Sequence, residues 1–151
     1  MPPEPLIANF PGSGPAAALL PPVEADTAPY YEALGRGALA LQHCEACGRA
    51  RCPVAPACPY CGAAEHSWAE IDGRGAVHSW VRYHRAFLPA FESLVPYVVV
   101  SVELEAGPRM FGRLASAADP WIGMPVQAIV ERWEDGGCVP AFFADPDGGA
   151  A

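Results

Sequence analysis

Four of the six cysteines stand in two pairs of identical spacing, Cys44-Glu45-Ala46-Cys47 and Cys58-Pro59-Tyr60-Cys61, with ten residues between the pairs. Two residues between paired thiols let one tight turn aim both sulfurs at a single ion. Two such turns make a tetrahedral four-thiolate site, which favours zinc. A glycine follows each pair, Gly48 and Gly62, where the chain needs positive φ or close approach behind a ligating turn, and Pro59 stiffens the second turn. The same grammar holds iron in rubredoxins, and two intramolecular disulfides are a further reading of the same four residues. Four protein thiolates leave no open coordination position, so such a metal is structural. It would replace the core that residues 38–70 are too few to build alone. With a dication the centre adds roughly −2, taking the chain from −8 to near −10.

Cys52, between the pairs, is expected to be a small hydrophobe plugging the ribbon, with an exchangeable fifth ligand as the alternative. Cys138, in a β segment before Val139, is expected to be core. A nucleophile there would need a lowered pKa, which no sequence-near His or Lys suggests.

The second group with chemical potential is cationic. All nine basic residues are Arg, against 17 Asp and Glu, and Lys is absent. That balance excludes a polybasic nucleic-acid or membrane binder and any mechanism through a lysine amine. Split along the chain, residues 1–35 carry −4, 36–72 carry −1, 92–130 carry −2 and 131–151 carry −4. Residues 73–91 carry +3, from Arg74, Arg82 and Arg85, with no acid. Trp80, Tyr83 and Phe87 add flat surfaces there, His78 and His84 add donors, and Arg49 and Arg51 in the ribbon could face the same cleft. Arginines near aromatic rings suit a phosphorylated ligand with a planar base, such as coenzyme A, or a short nucleic-acid single strand. The bland alternative pairs these arginines with the abundant acids of neighbouring strands. His43 and His66 are expected only to cap or solvate the ribbon. No nucleophile–base–orienter set, carboxylate pair or phosphate-cradling glycine loop stands out, so the chain is expected to bind or scaffold.

The elements that must position these groups are mainly β. Fourteen of the first 25 residues are Ala, Pro or Gly, so 1–25 is expected to be a disordered leader or a partner-wrapping arm, with Leu6, Ile7, Phe10, Leu19, Leu20 and Val23 as its apolar contacts. A short helix over 26–37 follows, capped by Asp26 or Thr27, clustering Tyr30, Tyr31 and Leu34, and stopped by Gly35 and Gly37. Leu39 to Gln42 is a strand entering the ribbon of 38–70. Strands are then expected at 76–85, 97–105, 109–115, 125–133 and 138–143, with a helical turn at 116–121, inside a domain of 71–144 followed by a 145–151 tail. Strict alternation over 76–85 would put Val77, Val81 and Tyr83 on one face and His78, Trp80, Arg82 and His84 on the other. Five short strands in about 70 residues suit a small closed barrel. The Met1-Pro2-Pro3-Glu4 start lacks a basic and apolar leader and no long apolar run occurs, so a cytoplasmic chain with no membrane span is expected.

The ordered set Tyr30-Tyr31-Glu32-Ala33-Leu34, the two Cys pairs with their glycines, Gly73-Arg74-Gly75-Ala76-Val77-His78-Ser79-Trp80, Val95-Pro96-Tyr97-Val98-Val99 and Ile122-Gly123-Met124-Pro125-Val126 resembles the zinc-ribbon/OB-fold family of acyl-CoA-associated proteins, long filed as a domain of unknown function. The resemblance covers about 28–143. Cys52 departs from it, because an aromatic residue is commoner there. The resemblance implies an N-terminal helix, a rubredoxin-like four-Cys zinc ribbon and a five-stranded OB-fold barrel. It also implies a subunit without catalysis of its own that works with a thiolase-superfamily enzyme, sometimes with an acyl-CoA hydratase, in steroid side-chain, aromatic or polyketide-like acyl metabolism. Coenzyme A phosphates would then meet Arg82, Arg85 and Arg49 or Arg51, with Trp80 or Phe87 against the base or pantetheine. The loop Phe87-Leu88-Pro89-Ala90-Phe91 would touch the partner or the acyl chain. The competing classes are a single-stranded nucleic-acid module, disfavoured by the acidic total, and a stand-alone acyltransferase using Cys138 or His84.

Overall fold

The computed structural model describes residues 7–16 and 19–145; the expectations for Leu6 and for most of the 145–151 tail lie outside them. A short strand β1 (Ile7–Asn9) comes first, followed by helix α1 (Ala28–Gly35). The ribbon is a three-stranded antiparallel sheet of β2 (Leu39–Cys44), β3 (Ala50–Arg51) and β4 (His66–Ile71), with β2 in the middle. The second sheet contains β5 (Arg74–Tyr83), β6 (Tyr97–Leu104), β7 (Arg109–Leu114), β8 (Pro125–Arg132) and β9 (Cys138–Ala144). Its strands run β5-β6-β7-β9-β8, and β8 returns to β5, closing a five-stranded barrel in which β7 and β9 are parallel. Closure leaves these short strands little free edge on which to aggregate.

The β6 alternation is as expected, with Val98, Val100, Val102 and Leu104 all buried. Leu34 of α1, Leu39 and Leu41 of β2 and Ala50 of β3 belong to the same apolar cluster as the barrel interior. The ribbon therefore shares one core with the barrel, which lowers what the metal alone must supply. Thr27 does flank the start of α1, but its hydroxyl accepts from the Glu24 N–H instead of capping the helix. Residues 116–118 form a bend and 119–121 are irregular, in place of the expected helical turn. Among the described residues no helix is long and apolar enough to cross a membrane.

Two expectations change with the packing. The first concerns residues 7–16, which fold back on the barrel. β8 pairs with β5 only through Pro125–Gln127, and β1 runs parallel along Val130–Arg132, covering the rest of that edge. Phe10 then stacks on Trp133 with ring centroids 3.8 Å apart, and with Ala16 and Ala90 forms a second small core. Replacing Phe10 by Ala removes this stack, a cost of about 3 kcal/mol. Limited proteolysis should then cut between residues 11 and 25 while zinc content is unchanged; equal protection of variant and parent would contradict the anchoring role.

The second concerns β5. Val77 pairs with Val102 but Ser79 pairs with Ser101, so a β-bulge at His78 adds one residue to the strand. Everything after it changes face. Trp80 and Arg82 pair with the buried Val100 and Val98 and lie on the core-facing side, whereas Val81 pairs with Val99 and is half exposed. The alternation expected from the sequence held only up to Val77.

Candidate functional site: a four-thiolate centre and a cationic barrel end

The four paired cysteines converge, with all four Sγ atoms within 4.8 Å of one another. Cys44 and Cys61 sulfurs lie 3.6 Å apart, as do those of Cys47 and Cys58, so none is joined in a disulfide. Sulfurs held about 2.3 Å from a tetrahedral ion stand about 3.8 Å from each other, close to what is observed. Both turns are built alike. Gly48 N–H donates to Cys44 C=O at 2.8 Å and Gly62 N–H to Cys58 C=O at 2.9 Å. Both glycines have positive φ (74° and 80°) with open space around the missing Cβ, so conformation and not crowding demands glycine. The backbone N–H groups of Cys47 and Ala46 hold the Cys44 thiol below its usual range. Burial pushes Cys58 up, but the N–H groups of Tyr60 and Cys61 outweigh it and bring it down to about 6. A turn that aims backbone donors at sulfur is suited to thiolates, and the donor set fits a structural zinc ion with no position open for catalysis.

Around this centre Gln42 is buried, with one hydrogen bond at each end of its amide. Its Oε1 accepts from Ala55 N–H at 3.0 Å, and its Nε2 donates to His66 Nε2 at 3.1 Å, a role set by His66 Nδ1–H donating to Ala64 C=O. His43 Nδ1 contacts its own strand at Leu41 C=O. Burial pushes the Cys52 thiol up to about 11, which keeps it neutral, as a packing residue should be.

The cationic residues divide into three settings. Arg82, with Trp80, sits toward the C-terminal end of β5, and its Nη2 donates to Asp119 at 2.7 Å. Asp119 is 92% exposed, and an exposed pair of this kind contributes about 0–1 kcal/mol, so an incoming phosphate can displace it. Arg85 follows β5 with its guanidinium 5.7 Å from the Phe87 ring, and has no carboxylate partner among the described residues. Phe87 is 71% exposed, while Ala90 and Phe91 of the same loop turn inward onto Phe10 and Trp133. Arg49 stays on the ribbon surface, 4.8 Å over the Tyr60 ring. Arg51 is buried at 2% exposure and cannot meet a phosphate at the surface, contrary to the expectation that grouped it with Arg49.

Sequence reasoning missed Trp121 and Ile122. Both are exposed on the segment that carries Asp119, and that segment is tied to β5 by hydrogen bonds between Val77 and its residues Gly123 and Met124. Two large apolar residues directly before a glycine in a loop were the available signal. Trp80 and Arg82, with Asp119, stand on the core-facing side near the C-terminal end of β5, whereas Phe87, with Arg85 over it, packs edge to face on Tyr83, the next residue along and so on the opposite face.

A rubredoxin-like ribbon of four converging thiols joined to an OB barrel defines a zinc-ribbon/OB-fold protein. Residues 32–67 match the ChsH2 rubredoxin-like zinc ribbon domain and residues 68–131 the ChsH2 C-terminal OB-fold domain. The chain belongs to the DUF35 family. It is 33% identical over 97 residues to a DUF35 domain-containing scaffold protein of Methanocaldococcus jannaschii, covering 62% of this chain and 68% of that one. It is 40% identical over 108 residues (70% of this chain) to a probable enoyl-CoA hydratase alpha subunit of Thermomonospora curvata, and spans 33% of that protein's length. A 3-oxo-4,17-pregnadiene-20-carboxyl-CoA hydratase alpha subunit of Mycobacterium tuberculosis is 37% identical over 80% of this chain, which spans 39% of its length. Among solved structures, a chain of the Ltp2-ChsH2(DUF35) aldolase superimposes with a TM-score of 0.73 at 35% identity, covering 83% of this chain and 98% of that one. A DUF35 protein from Sulfolobus solfataricus shares the fold, with a TM-score of 0.59 at 14% identity over 82% of this chain and 87% of that one.

Proposed function

We infer that this chain is a non-catalytic accessory subunit that binds the coenzyme A part of acyl-CoA thioesters and associates with a thiolase-superfamily enzyme. Arg85 carries the ligand half of this reading: it is a surface cation with no carboxylate partner among the described residues, set against an exposed aromatic ring. Arg82 and Trp80 stand on the same strand end, and a planar base with phosphates matches that combination of fork-shaped cations and flat faces. Arg49 over Tyr60 repeats the combination on the ribbon. The likeness to two hydratase alpha subunits, one of an enoyl-CoA hydratase and one of a carboxyl-CoA hydratase, supports the ligand class; the chain spans 33% and 39% of their lengths. The partner half is supported by the solved relative, the Ltp2-ChsH2(DUF35) aldolase. The exposed Phe87, Leu88, Trp121 and Ile122 provide apolar surface for a partner or an acyl chain. Acyl metabolism in the cytoplasm, of lipid, steroid side-chain, aromatic or polyketide-like substrates, is the setting this reading suggests.

The test is acyl-CoA affinity of the zinc-loaded chain with its thiolase-type partner present. Arg82→Ala and Arg85→Ala are each expected to weaken binding about tenfold, the loss of one charge-assisted hydrogen bond. Unchanged affinity in both variants would refute the site. A steep, salt-sensitive affinity for single-stranded nucleic acid would instead favour the competing class.

A further inference from the structure

The loop that carries Arg85 and Phe87 is seated by the N-terminal arm. β5 ends at Tyr83 and β6 begins at Tyr97. Within the connection the backbone hydrogen bonds are local: Phe91 N–H donates to Leu88 C=O at 3.0 Å, Glu92 N–H to Pro89 C=O at 3.1 Å and Leu94 N–H to Phe91 C=O at 3.0 Å. Among the described residues one backbone hydrogen bond ties residues 85–94 to another part of the chain, from Ser13 N–H to Ala90 C=O at 3.4 Å. The apolar tie has the same source. Ala90 is buried in a small core with Phe10, Ala16 and Trp133, and Phe91 and Leu94 pack against it. Phe10 and Ala16 of that core belong to the arm. A loop with so few fixed points of its own takes its stability from what covers it.

The arm fits this position closely. β1 runs along β8, and Phe10 N–H donates to Arg132 C=O at 2.9 Å. A Cβ at Gly12 would overlap the Ala90 carbonyl oxygen and the Phe10 ring, so the chain passes there only as glycine. From Phe10 the rings continue to the surface. Phe10 stands edge-on to Phe91 at 5.4 Å between centroids, Phe91 lies 5.1 Å from Tyr97, Tyr97 stacks on Tyr83 at 4.9 Å, and Tyr83 meets Phe87 edge-on at 6.4 Å. Phe87 is otherwise exposed, with Arg85 over it. The arm lies outside residues 32–131, the part that matches the two family domains.

We propose that residues 10–16 are a positioning element for the Arg85–Phe87 surface, which holds its ligand tightly while the arm is seated and weakly when the arm is lifted. For its ligand this step rests on the acyl-CoA reading; for its geometry it does not. The arm meets the loop at Ala90 and Phe91 and not at Arg85 or Phe87, so it acts by fixing the loop and not by touching the ligand. A loop ordered before the ligand arrives does not have to be ordered by it, and binding is tighter for that reason. Arg82 and Trp80 lie on the other side of β5, where Arg82 meets Asp119, and do not depend on the arm.

Gly12→Val, made in the zinc-loaded full chain, lifts the arm from Ala90 and tests this. Without any ligand, amide exchange of Phe91, Glu92 and Leu94 is expected to quicken about tenfold or more, with β6 protection and zinc content unchanged. With the thiolase-type partner present, acyl-CoA affinity should fall about tenfold, as in Arg85→Ala. The double variant with Arg85→Ala should also lose about tenfold in all, because both changes remove the same contact, whereas with Arg82→Ala the losses should multiply to about a hundredfold. A merely destabilising change would multiply with both. Phe10→Ala, which leaves a void in place of a clash, should repeat the pattern and decides the matter if Gly12→Val does not fold. Unchanged exchange at these three amides, or a loss that multiplies with Arg85→Ala, would overturn the proposal. If the parent binds no acyl-CoA, the coenzyme A reading falls and the exchange result alone decides the positioning.

Discussion

Cys58→Ser is expected to leave the chain with less than about a tenth of an equivalent of zinc, to disorder residues 44–64, and to spare the barrel. Cys58 is buried, is one of four converging sulfurs, and replacing its thiolate with a neutral hydroxyl leaves a three-sulfur set that cannot close the tetrahedron. Without the metal, the two-residue β3 and the two turns keep only a two-residue ladder to β2, Ala50 in the core and the Arg51–Ala64 and Gln42–Ala55 hydrogen bonds. The barrel should persist, because Val98, Val100 and Val102 pack within it and not on the metal centre. Metal analysis and amide hydrogen exchange read the two parts separately. Retention of one zinc per chain, or loss of protection on β6, would contradict this account. The pH dependence has a definite sign. Zinc binds thiolates, and Cys58 is already a thiolate above about 6, so affinity should drop steeply as pH falls through that value. Although the Ala63 N–H opposes it, the hydrogen bond to the Cys44 sulfur, with burial and the Cys58 and Cys47 sulfurs, pushes Cys61 up to about 11; that proton must leave on binding, so affinity keeps rising with pH above neutrality.

The second large effect lies in the barrel wall. Glu131 of β8 is 2% exposed, and Arg113 of β7 grips it with both Nη2 and Nε, the latter at 3.3 Å. Arg113→Leu should destabilise the chain by about 3–5 kcal/mol, because it leaves a buried carboxylate without its counter-charge. That is a large share of the roughly 5–15 kcal/mol of a typical domain. Adding Glu131→Leu should recover most of the loss, since the penalty belongs to the orphaned charge and not to the missing bond. Urea unfolding of the parent, both single variants and the double variant forms a complete cycle. A double variant as unstable as Arg113→Leu would show that the pair does more than neutralise itself.

Much of this molecule was legible from spacing. The metal centre was, because two residues between thiols and a following glycine are a local geometric requirement that the chain satisfies within one turn, as it does at Gly48 and Gly62. The strands of the barrel were legible wherever alternation was unbroken, as in Val98 to Leu104. The bulge at His78 was not, because an extra residue in one strand is visible only against its partner, and it reassigned Trp80, Arg82 and Val81 between faces. Nor were the partners of the arginines legible. Arg82 found Asp119, 37 residues away, and Arg113 found Glu131. Composition counts charges but does not say which of them meet.

The opening cysteines show the division most clearly. By itself the sequence singled out four of the six thiols as a matched set, put a ribbon before a barrel, and excluded any chemistry through a lysine. The tertiary structure decided that residues 7–16 seal the edge of β8, that ribbon and barrel share one core, and that Arg51, seven residues from Cys44, is interior while Arg49 is not. The first set depends on contacts within a turn or on composition. The second depends on which distant surfaces exclude water from one another, and only the packed fold specifies that.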